Sequence, residues 1–178
     1  MSQITLNDRT FELMIPKAVI KQSVKDMAKK INDDFNGREI VVVGVLDGVF
    51  MILADLLKRL TLNLSVELIK LKSYEGMSST GSIKKLLGLT QSLKDRHILL
   101  VEDIVDTGIT LKYVLELIHS HQPASVSIAT LLLKNDVFQD KFPIQYHGIA
   151  IPNKFVVGYG MDYDGQGRQL PDIYSATD

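Results

Sequence analysis

The sequence predicts an α/β fold in which a mainly parallel, twisted sheet is flanked by helices. Two observations support this prediction. Apolar segments of strand length alternate along the chain with amphipathic segments of helix length, as they do in βα units. Residues 40–46, 98–101 and 126–133 are almost continuously apolar, which is typical of strands that are buried on both faces of a sheet. We expect the terminal segments to form a small hood beside this sheet.

The N-terminal half is predicted to contain a helix, a strand, a second helix and a second strand. Pro16 is placed to open the first helix and Gly37 to end it. The apolar residues between them fall at three- and four-residue steps, and they are Ile20, Val24, Met27, Ala28, Ile31 and Phe35. Residues 40–46 are predicted to form a strand, residues 50–60 a helix, and residues 64–71 the second strand.

The C-terminal half begins after a polar segment rich in serine and glycine. This segment, residues 73–81, is typical of a flexible loop. The predicted elements that follow are a strand at residues 98–101, a helix at 109–119, a strand at 126–133, and shorter strands at 146–151 and 155–157. Ligands of such sheets bind beyond the carboxyl ends of the strands, so we expect the ligand-binding and catalytic residues there.

The composition indicates a soluble cytoplasmic protein with a single domain over residues 1–178. The formal net charge is −1, which lacks the basic surplus typical of nucleic-acid-binding proteins. The chain contains no cysteine, which excludes disulfides and agrees with a reducing compartment. No apolar run approaches the roughly 18 to 20 residues that cross a bilayer. The N-terminus lacks the basic-then-apolar order of a secretory signal.

Three carboxylates follow the apolar residues 98–101 within five residues. They belong to Glu102, Asp103 and Asp106. Carboxylate oxygens accept hydrogen bonds from sugar hydroxyls, and oxygens are the preferred ligands of Mg²⁺. A simpler interpretation is a solvated turn in which Asp106 caps the following helix. The buried strand before the acids and the turn after them favour a functional site.

The acids lead into a Thr-Gly-Ile-Thr turn at the start of the predicted helix. The first turn of a helix offers unpaired N–H groups and the positive end of the helix dipole, and both attract phosphate. Thr107 and Thr110 add hydroxyl donors. The acids are suited to sugar hydroxyls, and the helix N-terminus beside them is suited to a phosphate. A ribose phosphate carries both kinds of group.

Candidate residues also follow three other predicted strands. Asp47 and Gly48 follow the first of these, Ser73 and Tyr74 the second, and Lys134 the third. Because the carboxyl ends of parallel strands meet at one edge of a sheet, we expect these residues to converge. Taken alone, a lysine at a strand end is more typical of a surface residue.

In this order, these motifs resemble the type I phosphoribosyltransferases and, among them, the hypoxanthine and hypoxanthine-guanine phosphoribosyltransferases. The resemblance covers most of the chain. Its segments are residues 101–110 as a phosphoribosyl pyrophosphate signature, 46–48 as a pyrophosphate loop, 72–74 with 79–81 as a mobile catalytic loop, Lys134 with 155–162 around the purine, and Arg168. It implies transfer of the 5-phosphoribosyl group from phosphoribosyl pyrophosphate to hypoxanthine and guanine, giving IMP or GMP and pyrophosphate. It also implies Mg²⁺ as cofactor and a homodimer or homotetramer, with no nucleic acid or membrane as partner.

The resemblance implies roles at the ribose and pyrophosphate. Glu102 and Asp103 would hold the ribose hydroxyls, directly or through Mg²⁺, with Asp162 as a further neighbour of the ion. Ser73 and Tyr74 would belong to a catalytic lid that closes near the pyrophosphate and excludes water, which would otherwise hydrolyse the reacting sugar. Further implied substrate-binding residues are Leu46, Asp47, Gly48, Thr107, Gly108, Ile109, Thr110 and Arg168.

The resemblance also implies how the purine is bound. Asp106 would lie beside N7 as general base or proton acceptor, and Lys134 would donate to the 6-oxo oxygen. Phe155 would stack on the ring, while backbone groups of Val156 and Asp162 would contact the Watson–Crick edge. A lysine in that place selects 6-oxopurines over adenine, whose 6-amino group cannot accept its hydrogen bond.

Asp47 departs from the family pattern. The family commonly has lysine or arginine between the leucine and the glycine of this loop, and it often has a cis peptide there. The acid leaves three alternatives, which are weaker donor binding, a second metal ion, or an ion pair across a subunit boundary. The sequence does not decide among them, nor whether the Leu46–Asp47 peptide is cis.

Two other functions stay open at this point. A regulatory protein that senses phosphoribosyl pyrophosphate and binds RNA or DNA could share the fold, although the net charge of −1 gives no sign of a basic face. A xanthine-preferring transferase is also compatible, because backbone groups contact the 2-oxo edge of that base. The preference among hypoxanthine, guanine and xanthine does not follow from the sequence.

Overall fold

The computed structural model describes residues 3–73, 83–138 and 142–177. Its strands are β1 (Gln3–Leu6), β2 (Arg9–Ile15), β3 (Ile40–Leu46), β4 (Leu64–Ser73), β5 (Ile83–Leu87), β6 (His97–Val105), β7 (Ser125–Leu133), β8 (Tyr146–Ala150), β9 (Val156–Val157) and β10 (Ile173–Ala176). Its helices are α1 (Lys17–Asp34), α2 (Phe50–Leu57), α3 (Ile109–Ser120) and α4 (Asn135–Phe138). None of these described helices is long and apolar enough to span a membrane.

Six strands form the main sheet in the order β5-β4-β3-β6-β7-β8. The five strands from β4 to β8 in that order pair in parallel, and β5 is antiparallel to β4 at one edge. The prediction of a mainly parallel sheet is confirmed. The central strand β3 is buried along its length except at Leu46, which is partly buried, as its continuous apolar sequence predicts.

Helices cover both faces of the main sheet. Successive side chains of a strand point to opposite faces, so neighbouring residues of β3 pack against different helices. From β3, Val42 packs in one apolar cluster with Ile31 of α1 and Leu56 of α2. Its neighbour Val43 packs in a second cluster with Val114 of α3. The sheet therefore lies between two apolar layers, and its carboxyl edge stays open for a site.

The second sheet is antiparallel and has the order β1-β2-β10-β9. It joins segments from both terminal parts of the chain, and Phe11 of β2 faces Ala176 of β10. The expected hood of terminal segments is confirmed. The sequence did not predict β1, β2 and β10 individually, because short strands gain their stability from partners that lie far away along the chain.

The ends of α2 and β6 differ from those predicted, and one strand of the main sheet was not predicted. Helix α2 ends at Leu57, and the Leu60 N–H after it donates to the Leu56 carbonyl at 3.2 Å. Strand β6 continues to Val105, so the first two acids lie in the strand and not in a turn after it. Strand β5 is the one that was not predicted. Of the polar loop predicted over residues 73–81, residues 74–81 lie outside the described residues.

Burial on α1 gives a first stability prediction. Ile31 is fully buried, whereas Val19 on the same helix is 48% exposed. We expect Ile31→Ala to lower the free energy of unfolding by about 2–5 kcal/mol, because it removes buried methyl groups and leaves a cavity. Val19→Ala, the matched control, should change it by about 0.5 kcal/mol or less. Urea denaturation followed by circular dichroism measures both values, and equal losses would contradict the described packing.

Candidate active site

The carboxyl ends of three neighbouring strands meet at two adjoining cavities. The first has a volume of about 310 Å³ and lies between the loop after β3 and the segment from the end of β6 into α3. The second has a volume of about 340 Å³ and extends from the same loop towards the hood. The residues that line both cavities are Asp47, Gly48, Asp103, Ile104 and Asp106. A ligand with two linked parts can therefore occupy both.

Most of the residues predicted for the site are brought together here. The first cavity is lined by Leu46, Asp47, Gly48, Glu102, Asp103, Asp106, Thr107, Gly108, Ile109 and Thr110. The second is lined by Asp47, Gly48, Asp103, Asp106, Lys134, Phe155, Val156, Asp162 and Arg168. Ser73 is the last residue of β4, and Tyr74 lies outside the described residues.

The N-terminus of α3 closes one end of the first cavity. Gly108 is the N-cap residue in a left-handed conformation with φ of 76°, and a β-carbon at this position would lie 2.9 Å from the Phe138 ring. Glycine is thus favoured both by the backbone angle and by the lack of space. The N-cap residue makes no side-chain cap hydrogen bond, and the Ile109 N–H donates a long bond to Thr107 Oγ1 at 3.4 Å. The first N–H groups of the helix are therefore suited to an anion.

Asp106 does not act as the helix cap. Its Oδ2 atom instead accepts a hydrogen bond from Lys134 Nζ at 2.6 Å. Lys134 is only 6% exposed and donates a second bond to Asn153 Oδ1 at 3.2 Å. The interpretation of Lys134 as a surface residue is therefore wrong. Since an ammonium group has three donors, this lysine can also donate to a ligand in the second cavity.

Asn153 was not predicted as part of the site. It follows β8, whereas Lys134 follows β7, and these two strands are neighbours. Only the pairing of β8 with β7 brings the amide within reach of the ammonium. No signal in the sequence around Asn153 points to this contact.

Burial at the end of β6 disfavours the charged forms of two adjacent acids. Burial, and then the neighbouring charge of Asp103, raise the pKa of Glu102 well above its ordinary value. Burial raises the pKa of Asp103 to about 6, against the opposing effect of a hydrogen bond from the Ile104 N–H and the charge of Arg168. A bound cation or a donating hydroxyl group would relieve this cost.

Asp47 forms its ion pairs within its own chain. Lys70 Nζ lies 2.7 Å from Asp47 Oδ1, and Arg168 lies 4.0 Å from Asp47 Oδ2. Arg168 also pairs with Asp162 at 2.8 Å and donates to the Gly160 carbonyl at 2.8 Å. Asp47 thus has two cationic partners within its own chain. The peptide bond between Leu46 and Asp47 is cis.

An aromatic cluster forms the outer wall of the second cavity. The Phe155 ring is 44% exposed and lies 6.3 Å from the Phe11 ring and 5.9 Å from the Tyr163 ring, between centroids. The Arg9 guanidinium lies 5.5 Å from the Phe155 centroid. Phe11 and Arg9 come from β2, so the hood fixes the position of a ring that is still open to a ligand.

Residues 17–164 match the family model of the phosphoribosyl transferase domain. The chain belongs to the phosphoribosyltransferase family. It is 38% identical to the hypoxanthine phosphoribosyltransferase of Escherichia coli K12 over 167 residues, which cover 92% of this chain and 94% of that protein. It is 35% identical to the hypoxanthine-guanine phosphoribosyltransferase of Aquifex aeolicus over 175 residues, which cover 97% and 98%. The crystal structure of a hypoxanthine phosphoribosyltransferase from Staphylococcus aureus superimposes with a TM-score of 0.87 at 36% identity, covering 93% and 90%. The family predicted from the sequence is confirmed.

The pKa of Asp103 predicts how this phosphoribosyltransferase responds to pH. With a folded-state pKa of about 6 against an ordinary 3.8, protonated Asp103 favours the folded state at low pH. That contribution is lost as the pH rises from about 4 through about 6. Asp103→Asn should therefore stabilise the ligand-free protein at pH 8 relative to wild type, and far less at pH 4.5. We expect a difference on the order of 1–2 kcal/mol, because Asp103 is partly exposed.

Chemical denaturation at the two pH values measures this effect. Asp33→Asn is the matched control, since Asp33 is an exposed acid on α1 whose replacement should change stability by about 0.5 kcal/mol or less. A wild-type protein that is more stable than Asp103→Asn at pH 8 would contradict the assigned cost of the buried charge.

Proposed function

We propose that the protein is a purine salvage enzyme that transfers the 5-phosphoribosyl group from phosphoribosyl pyrophosphate to hypoxanthine and guanine. The products are the purine 5′-monophosphate and pyrophosphate. The observation that supports this most directly is the buried Lys134, which lies 2.6 Å from Asp106 in a cavity that adjoins the one at the α3 N-terminus. A donor for a 6-oxo group, an acceptor for a ring proton and a phosphate site are thus combined in one place.

The proposed position of the donor follows from the first cavity. Its 5′-phosphate would bind residues 107–110 at the N-terminus of α3, where N–H groups and hydroxyls attract an anion. The ribose hydroxyls would donate to Glu102 and Asp103. The pyrophosphate would contact the backbone of residues 46–48 and the guanidinium of Arg168, whose planar fork suits phosphate oxygens.

The acids suit Mg²⁺ as the proposed cofactor. Within the described ranges, no three His, Cys, Asp or Glu side chains are grouped as ligands of a metal ion. This fits Mg²⁺, which commonly binds through one or two carboxylates together with substrate phosphates and water. Glu102 and Asp103 would hold it with the donor, with Asp162 nearby. When bound, the ion would reduce the negative charge of the leaving pyrophosphate.

The proposed position of the purine follows from the second cavity. The base would stack on the exposed face of Phe155, and backbone groups of Val156 and Asp162 would contact its Watson–Crick edge. Lys134 would donate to the 6-oxo oxygen. Asp106 would accept the proton of N7 as N9 forms its bond to the sugar and pyrophosphate leaves, and the adjacent ammonium would stabilise the negative charge of the ring.

The reaction passes through a sugar with oxocarbenium character, so positive charge grows on the ribose in the transition state. Carboxylates that are already in place stabilise such charge without rearranging. Glu102, Asp103 and Asp106 would have this role from the sheet edge. Ser73 and Tyr74 would belong to a lid over the reacting centre and exclude water from it.

Several coarser properties complete the proposal. We propose one domain over residues 1–178, since a single apolar cluster joins Ile15 and Ile173 of the hood to Val42 of the main sheet. We also propose a cytoplasmic location and a homodimer or homotetramer. Nucleic acid is not a proposed partner, because the net charge is −1.

The proposed activity is tested by incubating the protein with phosphoribosyl pyrophosphate, Mg²⁺ and one purine at a time. We expect nucleotide to form with hypoxanthine and guanine and not with adenine, and to require Mg²⁺. Chromatography of the products measures this. Product with xanthine alone would replace the proposal by a xanthine transferase, and no product with any 6-oxopurine would overturn it.

Lys134→Gln tests the proposed purine contact. The variant keeps a donor but removes the buried positive charge opposite Asp106, so Asp106 loses its ion pair. We expect kcat/KM for hypoxanthine to fall by about 100-fold or more, with a much smaller change in KM for phosphoribosyl pyrophosphate. Lys154→Gln is the matched control, because Lys154 is half-exposed and pairs with Glu12 of the hood at 3.6 Å. Equal losses in the two variants would contradict the role of Lys134.

A further inference from the structure

Asp47 is the acidic residue that departs from the family pattern, and it lines both cavities. Its carboxylate lies between two cations. Oδ1 is 2.7 Å from Lys70 Nζ, and Oδ2 is 4.0 Å from Arg168. Lys70 lines neither cavity, but its ammonium contacts a carboxylate that lines both.

The main sheet fixes the position of Lys70 next to this loop. In the parallel pair of β3 and β4, Leu46 is the partner of Lys70. The ammonium therefore comes from β4, the strand beside the loop that follows β3. It lies next to Asp47, whose own side chain carries no positive charge. Both side chains are partly exposed, Lys70 to 39% and Asp47 to 44%, so they can change partners without unpacking the core.

An ion pair of this kind is readily exchanged. Ion pairs between exposed side chains contribute little net stability, because water solvates both partners when they separate. Phosphate oxygens that carry several negative charges attract an ammonium group more strongly than one carboxylate does. A pyrophosphate in the adjoining cavity would therefore take over the ammonium and repel the carboxylate.

We propose that Lys70 is a pyrophosphate-binding residue of this enzyme and that Asp47 is its internal competitor. Without ligand, Asp47 holds Lys70 at the loop. When the donor binds, its pyrophosphate replaces Asp47 as the partner of Lys70, and the carboxylate turns towards solvent. This inference rests on the proposed function and deepens it, because it assigns to β4 the cation that the loop lacks.

The proposal predicts opposite effects for the two partners. Isothermal titration of the full chain with inorganic pyrophosphate in the presence of Mg²⁺ measures them. Asp47→Asn should bind pyrophosphate about three-fold more tightly, because a competing anion is removed. Lys70→Gln should bind it about ten-fold more weakly, because a charge-assisted hydrogen bond is lost. In the double variant, the gain from Asp47→Asn should be clearly smaller than in the wild-type background, since Lys70 is missing and the longer pair with Arg168, at 4.0 Å, is what remains.

Glu39 and Arg96 supply a matched control. Their ion pair has the same separation of 2.7 Å and similar exposure, but these residues precede β3 and β6 and so lie at the opposite edge of the sheet. Glu39→Gln and Arg96→Gln should leave pyrophosphate binding unchanged. Thermal denaturation of every variant separates loss of fold from loss of binding.

Steady-state kinetics provide a second measurement. Asp47→Asn and Lys70→Gln should change KM for phosphoribosyl pyrophosphate in opposite directions, while KM for hypoxanthine stays within about two-fold of wild type. A merely structural pair would instead lower the thermal midpoint and change both KM values together.

The outcomes distinguish this inference from the proposed function. If the wild type forms nucleotide but Asp47→Asn binds pyrophosphate no more tightly, or Lys70→Gln binds it equally well, only this inference is overturned. Additive effects in the double variant would also overturn it. If the wild type forms no nucleotide with any 6-oxopurine, the proposed function fails, and the assignment of Lys70 to the donor fails with it.

Discussion

The close approach of three chain segments at Gly48 is the constraint on which the rest of the site depends. A β-carbon at Gly48 would overlap Asp103 Oδ2 at the end of β6, and a β-carbon at Gly160 would overlap the Gly48 carbonyl oxygen. The loop after β3 therefore lies between the acidic edge of the main sheet and the hood, with no room for a side chain at either contact. Because Gly48 and Gly160 carry no side chains, the loop stays close to both neighbours, and the two cavities share Asp47, Gly48, Asp103, Ile104 and Asp106 as lining residues. One ligand can therefore extend from the N-terminus of α3 to Phe155.

The same close packing explains the charges of the site. Acids at the end of a buried strand lose hydration, so the pKa of Asp103 rises to about 6 and that of Glu102 rises well above its ordinary value. Buried charge is retained where a partner of opposite charge is close, and Lys134 beside Asp106 shows this directly. The positive charge of Arg168 lowers the pKa of Asp103 but does not offset the effect of burial. The ligand-free site thus keeps an unfavourable density of carboxylates, which a cationic transition state or a bound metal ion can neutralise.

The central part of the fold was predictable because its signals are local. The apolar runs of β3, β6 and β7 are long enough to indicate buried strands, and the Thr-Gly-Ile-Thr turn after β6 indicates the start of α3. The resemblance to the phosphoribosyltransferases further indicated that Lys134 and residues 155–162 belong to one purine site. Strands β1, β2 and β10 were not predicted, since each is short and depends on partners distant along the chain.

In the site, too, what depends on local sequence was predictable, and what depends on distant partners was not. The carboxylates and Lys134 were chosen correctly as lining residues, because each follows a predicted strand. The burial of Lys134, its bond to Asn153 and the pairing of Asp47 with Lys70 depend on which strands are neighbours in the sheet. That order is a property of the whole fold, and no short pattern of residues encodes it. Tyr74 lies outside the described residues, so the lid to which it and Ser73 would belong stays a prediction.

The position of β10 between β2 and β9 has a consequence for how the enzyme is made. The Thr177 hydroxyl donates to the Thr10 carbonyl across a separation of 167 residues, and β9 reaches the hood only through β10. The strands of the main sheet all precede β10 along the chain, so during synthesis on the ribosome they leave the exit tunnel first. A nascent chain therefore completes its hood last, and β9, which carries Val156 of the second cavity, gains its place in the hood only after residues 173–176 have also emerged.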